Sequence, residues 1–596
     1  NLYGNPVAQR ELKKLRVREL RSINNIAVTY RPIKDLTLNV TGNYDWMNIG
    51  DYSFEDAIWT TSDNISKHTN YTVNNYSSFG TATYSVPFNN KKHSLTAMIG
   101  GEIQATNTVG FYEEYQFSND VLYADASLPD TAVQTNYNDF ESDRNIFLSV
   151  FSRINYSFKD RYFLQFTFRR DGNSKFSPTN RFGNFPSLGF GYIMSEEPFL
   201  KGNKVINYLK FRGSWGLTGN AGINWDAQYD RFSTPDNNIN AGYNGQSYRT
   251  QYKLGNPDLQ WEVIRTLDAG MELALFDDRI VADLSVYDKL SNNVAINVAL
   301  QASSGVDDLS YYQNIAKIRN RGVELSLTTQ NLTGALQWET EFNYGVNRNK
   351  VLSVGTATPD ALDGGFGDVR VIPGYSLQVN YVVRFSHIDP ANGRPVYLDV
   401  DGNETSVYDV ANDRAPAGEG LPDAFGGLRN TFRYKNFEFS FAFVYNIGGT
   451  IYDDAAKRQL GVVTDWNMRR DVFDRWQKPG DVATYPQLTM DMRNWGGNAN
   501  FWQNNHSLWL YDGTYVRLRN MRLGYTIYPK GNKIQQINLF VSGTNLWTWA
   551  KEYTGWDPEV SRNRSTDQQR NVGGYGITYL SPPQEKTFNF GASIKF

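Results

Sequence analysis

No cysteine occurs among the 596 residues. Thiolate metal sites, a catalytic cysteine and a disulfide framework are therefore excluded. Only four histidines are present, His68, His93, His387 and His506, and they are scattered. The H-E-x-x-H pair, the G-x-S-x-G elbow and the G-x-x-x-x-G-K-[ST] phosphate cradle are all missing, so zinc-protease, α/β-hydrolase and P-loop chemistry lack their residues. A protein that is not an enzyme, without a cofactor, is the expectation. There is no apolar run of about eighteen residues, which excludes a helical membrane protein. Charge of one sign is lacking too: 59 Lys and Arg stand against 62 Asp and Glu, for a net charge of −3. No basic field for nucleic acid follows from such a balance.

Aromatic residues are plentiful instead, with 38 Tyr, 35 Phe and 14 Trp, and they sit in alternating runs. At the C-terminus Phe588, Phe590, Ala592, Ile594 and Phe596 fall on one face, and Thr587, Asn589, Gly591, Ser593 and Lys595 on the other. A period of two is that of a strand. An apolar face ending on a terminal Phe suits the closing strand of an outer-membrane barrel, with lipid on one side and a wet lumen on the other. Phe596 is thus a candidate barrel-assembly signal. The same alternation recurs through Leu36–Trp46, Tyr162–Arg169 and Leu209–Leu217. Alternation alone also fits a soluble sandwich. The connections favour the membrane: short turns such as Pro32–Asp35, Lys159-Asp160, Phe276–Asp278 and Lys435-Asn436 take turns with long loops near 49–72, 108–143, 220–258, 293–313, 349–424, 449–512 and 550–584. Short turns on one rim and long loops on the other is the layout of bacterial barrels.

The fold class expected is all-β, a transmembrane antiparallel β-barrel with long extracellular loops and short periplasmic turns. Counting back from Phe596 yields about seventeen spanning strands. The first runs from the loop side to the turn side, as the last does, whereas bacterial single-chain barrels have even strand numbers. The expectation is that strands preceding Asn1 are missing. Tyr525 and Tyr528 near one strand end, and Trp547 and Trp549 near another, suit interfacial girdles. Regions 349–424 and 449–512 are read as large extracellular loops, the first with a hairpin around 375–385 and 394–399.

Specific strings add a family. Arg181–Ser187, Leu209–Asn220, Asn256–Glu262, Asp474–Asp481, Gly513–Asn520, Gly543–Leu546 and Gly555–Glu559 occur in this order. Together they resemble the SusC/RagA family of TonB-dependent outer-membrane transporters of Bacteroidetes, over nearly the whole chain. The resemblance implies a barrel of about 22 strands around an N-terminal plug, so that residues 1–596 would be its C-terminal part. It also implies a SusD-like surface lipoprotein as a hinged lid, energy from TonB–ExbB–ExbD through the missing plug, and an oligosaccharide or peptide ligand. A dimer of such pairs is compatible with it. A passive porin, or a surface interaction protein on a barrel anchor, are the competing readings.

Candidate ligand contacts are the loop residues Trp466, Trp495, Trp502, Arg469 and Arg493, because aromatic platforms with a few polar groups suit sugars and peptides. Trp225, Trp509 and Trp556 are weaker candidates of the same kind; loop packing is the competing role. Asp399, Asp401 and Asn403 carry oxygen ligands at a spacing suited to calcium, although position twelve of such a loop falls on Val410; a solvated turn is the simpler reading. Arg169, Arg212, Arg517 and Arg519 fall on the lumen face, where they could hold a plug or simply be hydrated.

Overall fold

In a computed structural model the alternating runs become strands joined by continuous antiparallel ladders. The structure describes residues 13–55, 64–90, 92–117, 132–233, 249–306, 308–355, 357, 369–461, 468–487, 501, 504–531, 533–559, 576–578 and 583–596. In chain order come β1 (Lys13–Ile33), β2 (Leu36–Glu55), β3 (Asn64–Ser85), β4 (His93–Phe117), β5 (Val133–Phe158), β6 (Tyr162–Asn173), β7 (Phe182–Ile193) and β8 (Ile206–Asn220). A short pair follows, β9 (Arg231–Ser233) and β10 (Thr250–Lys253), before the long strands β11 (Glu262–Leu275), β12 (Ile280–Ala299), β13 (Ser310–Thr333) and β14 (Leu336–Ser353). The segment after β14 folds as a five-stranded sheet of its own: β15 (Val369–Arg370), β16 (Val379–Ile388), β17 (Pro395–Leu398), β18 (Glu404–Thr405) and β19 (Arg414–Glu419). The long strands resume with β20 (Ala424–Tyr434) and β21 (Phe437–Ile447). Next are β22 (Thr450–Asp453), helix α1 (Asp454–Gly461) and β23 (Leu510–Asp512), then β24 (Tyr515–Ile527), β25 (Gln536–Ala550), β26 (Ile577–Thr578) and β27 (Thr587–Lys595).

Among the described residues the long strands number seventeen and belong to one antiparallel sheet, in line with the count of about seventeen read from the sequence. The short turns match as well. Lys159, Asp160, Phe276, Asp277, Asp278 and Lys435 have φ between 51° and 62°, the left-handed conformation that tight hairpin turns of primed type require.

Several strands run further toward the loop side than the sequence suggests. β4 and β5 have 25 and 26 residues, where about 9–11 cross a membrane. Much of 49–72 and 108–143 is therefore ladder rather than loop: Leu36 to Glu55 pairs with β3 without a break, and β4 pairs with β5 out to Gln116↔Val133. Above the membrane both faces of a strand are wet, so the apolar period vanishes while the hydrogen-bonded ladder continues.

By compactness the chain divides into two units. The first holds residues 1–189, 216–262 and 305–308. In it β1 to β6 pair in sequence, and a small aromatic knot forms around buried Trp261, with Phe176, Phe185 and Phe147 rings 5.1, 5.4 and 6.4 Å away. The second unit holds 190–215, 263–304 and 309–596. In it β11 to β14 pair consecutively, β14 continues to β20, β21, β24, β25 and β27, and the polypeptide between those strands builds a separate hydrophobic core.

Candidate functional site

Three long connections of the second unit share that core. Val383, Ile388 and Tyr397 come from 349–424; Tyr452, Leu460, Trp476, Phe501 and Trp509 come from 449–512; Ile577 comes from 550–584. The backbone interlocks them. β22 pairs antiparallel with β23 and parallel with β26, and the Phe385 amide donates to Ser507 Oγ at 3.0 Å. Trp476 donates its indole N–H to the Pro390 carbonyl at 3.0 Å, and the Gly480 amide donates to the same carbonyl at 2.8 Å. Asp481 accepts from the amides of Gln477 and Lys478. The Asp474–Asp481 string is thus a loop anchor, and Asn256–Glu262 is another: Leu259 is fully buried and Trp261 donates to the Arg181 carbonyl at 3.0 Å.

At the centre His506 lies in a box of rings, with Phe501, Trp509, Phe385 and Tyr397 centred 4.6, 5.1, 5.7 and 5.9 Å away. Its Nε2 lies 3.0 Å from the Phe501 carbonyl. Complete burial pushes its pKa down to about 3, so the ring is neutral near pH 7. Burial likewise pushes the Tyr397 and Tyr511 phenols well above their ordinary value, and that of Tyr553 up to about 12.

Arg469 joins two of the loops. Its guanidinium donates to Asp453 and Asp471 carboxylates at 2.7 Å each and to Thr554 Oγ1 at 2.8 Å. Burial opposes the cation, and the two carboxylates more than offset it, holding its pKa above the ordinary arginine value. Asp453 is itself the N-cap of α1, accepting from the Ala456 amide at 3.1 Å and from Thr578 Oγ1 at 3.1 Å. In this structure Arg469 faces loop carboxylates, the packing role weighed against ligand contact. Trp466, Trp495, Trp502 and Arg493 lie outside the described residues. Trp509 is wholly buried in the shared core, Trp225 is half-buried and Trp556 is exposed.

At the ends of β21 and β24, where Ile451 and Gly576 precede the core residues Tyr452 and Ile577, lies a partly open cavity of about 260 Å³. Gly448, Gly449, Gly513 and Gly576 line it together with Asn446 and Glu559. Gly448 and Gly449 follow β21 with φ of 70° and 75°, a conformation that a side chain would strain. The result is a wall in which glycine backbone is joined by the Glu559 carboxylate, the Asn446 and Gln584 amides and the hydroxyl-bearing Thr450 and Tyr515. Such a surface hydrogen-bonds polar oligomers such as sugars or peptides.

Glu559 is held by the Gly555–Glu559 string. Arg517 Nε lies 3.1 Å from Glu559, and Arg519 donates to the same carboxylate and, at 3.2 Å, to Asn545 Oδ1. Arg517 is almost fully buried and also donates to Asp557. Asp557 in turn accepts from the Glu559 amide at 2.8 Å and the Gln584 amide at 2.9 Å. Reading arginines by face finds Arg517 and Arg519 but not these partners, about forty positions along the chain. The other two arginines of the polar face also meet carboxylates, on their own strand or one or two strands away. Arg169 donates to Glu102 and Asp171 at 2.9 and 2.6 Å, and Arg212 to Asp283 and Glu272 at 2.6 and 3.1 Å.

Asp399, Asp401 and Asn403 form a turn between β17 and β18. Asp399 accepts from the Asn403 amide at 2.8 Å and from Asn403 Nδ2 at 3.0 Å; these bonds, the side-chain one first, hold its carboxyl below the usual range. Among the described residues no group of three His, Cys, Asp or Glu gathers around a common point.

The family model described as TonB dependent receptor-like, beta-barrel matches residues 17–546. TonB-dependent receptor P39 of Formosa agariphila is 28% identical over 657 residues, covering 100% of this chain and 60% of that protein. TonB-dependent receptor SusC of Bacteroides thetaiotaomicron is 26% identical over 631 residues, covering 100% of this chain and 58% of SusC. The chain spans roughly three-fifths of the length of these two relatives. Among solved structures, that of the RagAB peptide transporter superposes with a TM-score of 0.85 at 21% identity, covering 100% of this chain and 64% of that one.

Proposed function

From the premise that the chain belongs to the TonB-dependent receptor-like β-barrel family of the outer membrane, we propose that the protein of which it forms part imports an oligomeric nutrient actively. The nutrient is an oligosaccharide or oligopeptide, TonB supplies the energy, and a SusD-like lipoprotein covers the loop face. One observation carries this reading: the glycine-rich, polar cavity of about 260 Å³ at the strand ends next to a packed loop core. Loops that fold around their own hydrophobic core beside a polar cavity suit capture of a ligand before passage. The RagAB structure of similar fold is that of a peptide transporter, which is in line with the peptide arm of the substrate class.

The test is uptake and recovery of partners in the native host. Growth on the cognate oligomer is expected to need TonB, and extraction in mild detergent is expected to bring along a lipoprotein. Uptake that persists undiminished without TonB would refute active import and leave a passive porin. Normal uptake after deletion of the barrel gene would instead favour a surface interaction protein.

A further inference from the structure

The lipid-side face of β11 to β14 carries an ordered stack of cross-strand rows. Taken across the four strands, Leu273, Ala282, Leu327 and Phe342 form one row. Above it come Met271, Leu284, Leu325 and Tyr344, and then Ala269, Val286, Val323 and Val346. The next row changes character to Leu267, Asp288, Arg321 and Arg348, and the last to Arg265, Leu290, Arg319 and Lys350. A groove of about 410 Å³ lies where apolar meets charged, lined by Leu267, Ala269, Val286, Val323, Arg321 and Arg348 among others.

The height of this junction is defined by the chain itself. Leu275 pairs with Ile280 beside the short turn, and Leu267 to Leu275 is a run of nine residues. A tilted strand crosses the apolar core with ~9–11 residues, so the charged rows stand at the outer-leaflet headgroup level. Five cations meet two carboxylates there. Asp288 bridges Arg319 at 2.9 Å and Arg321 at 3.2 Å, and Asp423 accepts from Arg348. Arg321 and Arg348 nonetheless keep more than half of their side-chain surface exposed. An unmatched positive excess at the top of an apolar groove complements a ligand with phosphates above acyl chains.

We propose that this face is a binding site for a phosphorylated glycolipid of the lipid A type, its phosphates on Arg321, Arg348 and Lys350 and an acyl chain in the groove over Val286 and Val323. A guanidinium fork offers two parallel N–H donors to a phosphate, and Asp288 holds Arg319 and Arg321 in fixed orientation. The site is independent of what the barrel transports.

Native mass spectrometry of the purified barrel in mild detergent tests this with four probes: bisphosphorylated lipid A, lipid A without phosphates, phosphatidylglycerol of matched chain length, and inorganic phosphate. Wild type is expected to retain bisphosphorylated lipid A at least about tenfold more tightly than any of the other three. The variant R321Q/R348Q/K350Q should lose that preference, and so should Val286→Trp, which fills the groove and keeps every charge. Heat-modifiable migration confirms that each variant is folded; should the triple variant fail to assemble, Val286→Trp and Arg321→Lys decide. Undiminished lipid A binding in the folded variants overturns the proposal. So does binding of phosphatidylglycerol, dephosphorylated lipid A or phosphate as tight as that of lipid A.

Discussion

Replacing Asp557 with alanine removes the acceptor of three hydrogen bonds at once: those from Arg517, from the Glu559 amide and from the Gln584 amide. Breaking a buried ion pair by deleting one partner costs about 3–5 kcal/mol, because the other charge stays buried. Arg517 keeps Glu559 at 3.1 Å, so the lower end, about 3 kcal/mol, is the expected cost of D557A. The loss falls on the docking of 557–559 against β24 and not on the strand ladder. At ~1.4 kcal/mol per factor of ten, opening of the segment should rise by about 150-fold. Hydrogen exchange at the Glu559 and Gln584 amides reads this directly, with heat-modifiable migration as the control for an intact barrel. The double variant Arg517→Met with Asp557→Leu should recover much of the protection, since a packed apolar pair often replaces a buried ion pair without loss. If exchange at both amides rises less than about threefold in D557A, the reasoning that this pair docks the segment is refuted.

His506 predicts an acid response. Its folded pKa is lowered to about 3 from an ordinary 6.5, so the opened loops take up a proton that the closed core refuses. Its contribution is complete above pH 6.5 and declines as pH falls toward 3, by about 2 kcal/mol at pH 5. Trp509 fluorescence or protease sensitivity against pH should show the loosening, and His506→Phe should flatten it; an unchanged acid profile in that variant would count against the assignment. Trp476→Ala should destabilise the loop core by about 3–5 kcal/mol, seen as faster proteolysis of 449–512 at unchanged barrel migration. Phe596→Asp places a charge at the exposed apolar end of the closing strand and should sharply lower surface levels measured by whole-cell labelling; normal levels would remove Phe596 from the assembly signal.

Much of the sheet was legible because lipid imposes a period of two on every spanning strand. Leu36–Trp46 and Phe588–Phe596 show it plainly, and the strand count and short turns followed. The extensions of β3 to β5 were not legible, since above the membrane both faces meet water and the apolar signal disappears. For the candidate site the outcome was mixed. Arg517 and Arg519 could be placed on the polar face from alternation, but Asp557 and Glu559 could not be assigned to them. Arg469 and Trp509 looked like ligand contacts by residue type, and the structure surrounds both with loop partners.

By itself the sequence determined a membrane sheet of alternating strands, which rim carries the loops, and, through its ordered strings, a family. Local chemistry suffices for those, because strand period and turn type depend on neighbours in the chain. Only the tertiary structure decided that three loops share one core around a neutral histidine. It alone showed that Arg517 meets a carboxylate forty positions away, and that cations of three strands gather above one apolar groove. Those arrangements depend on register and on loop closure, which bring together residues that the linear order keeps apart.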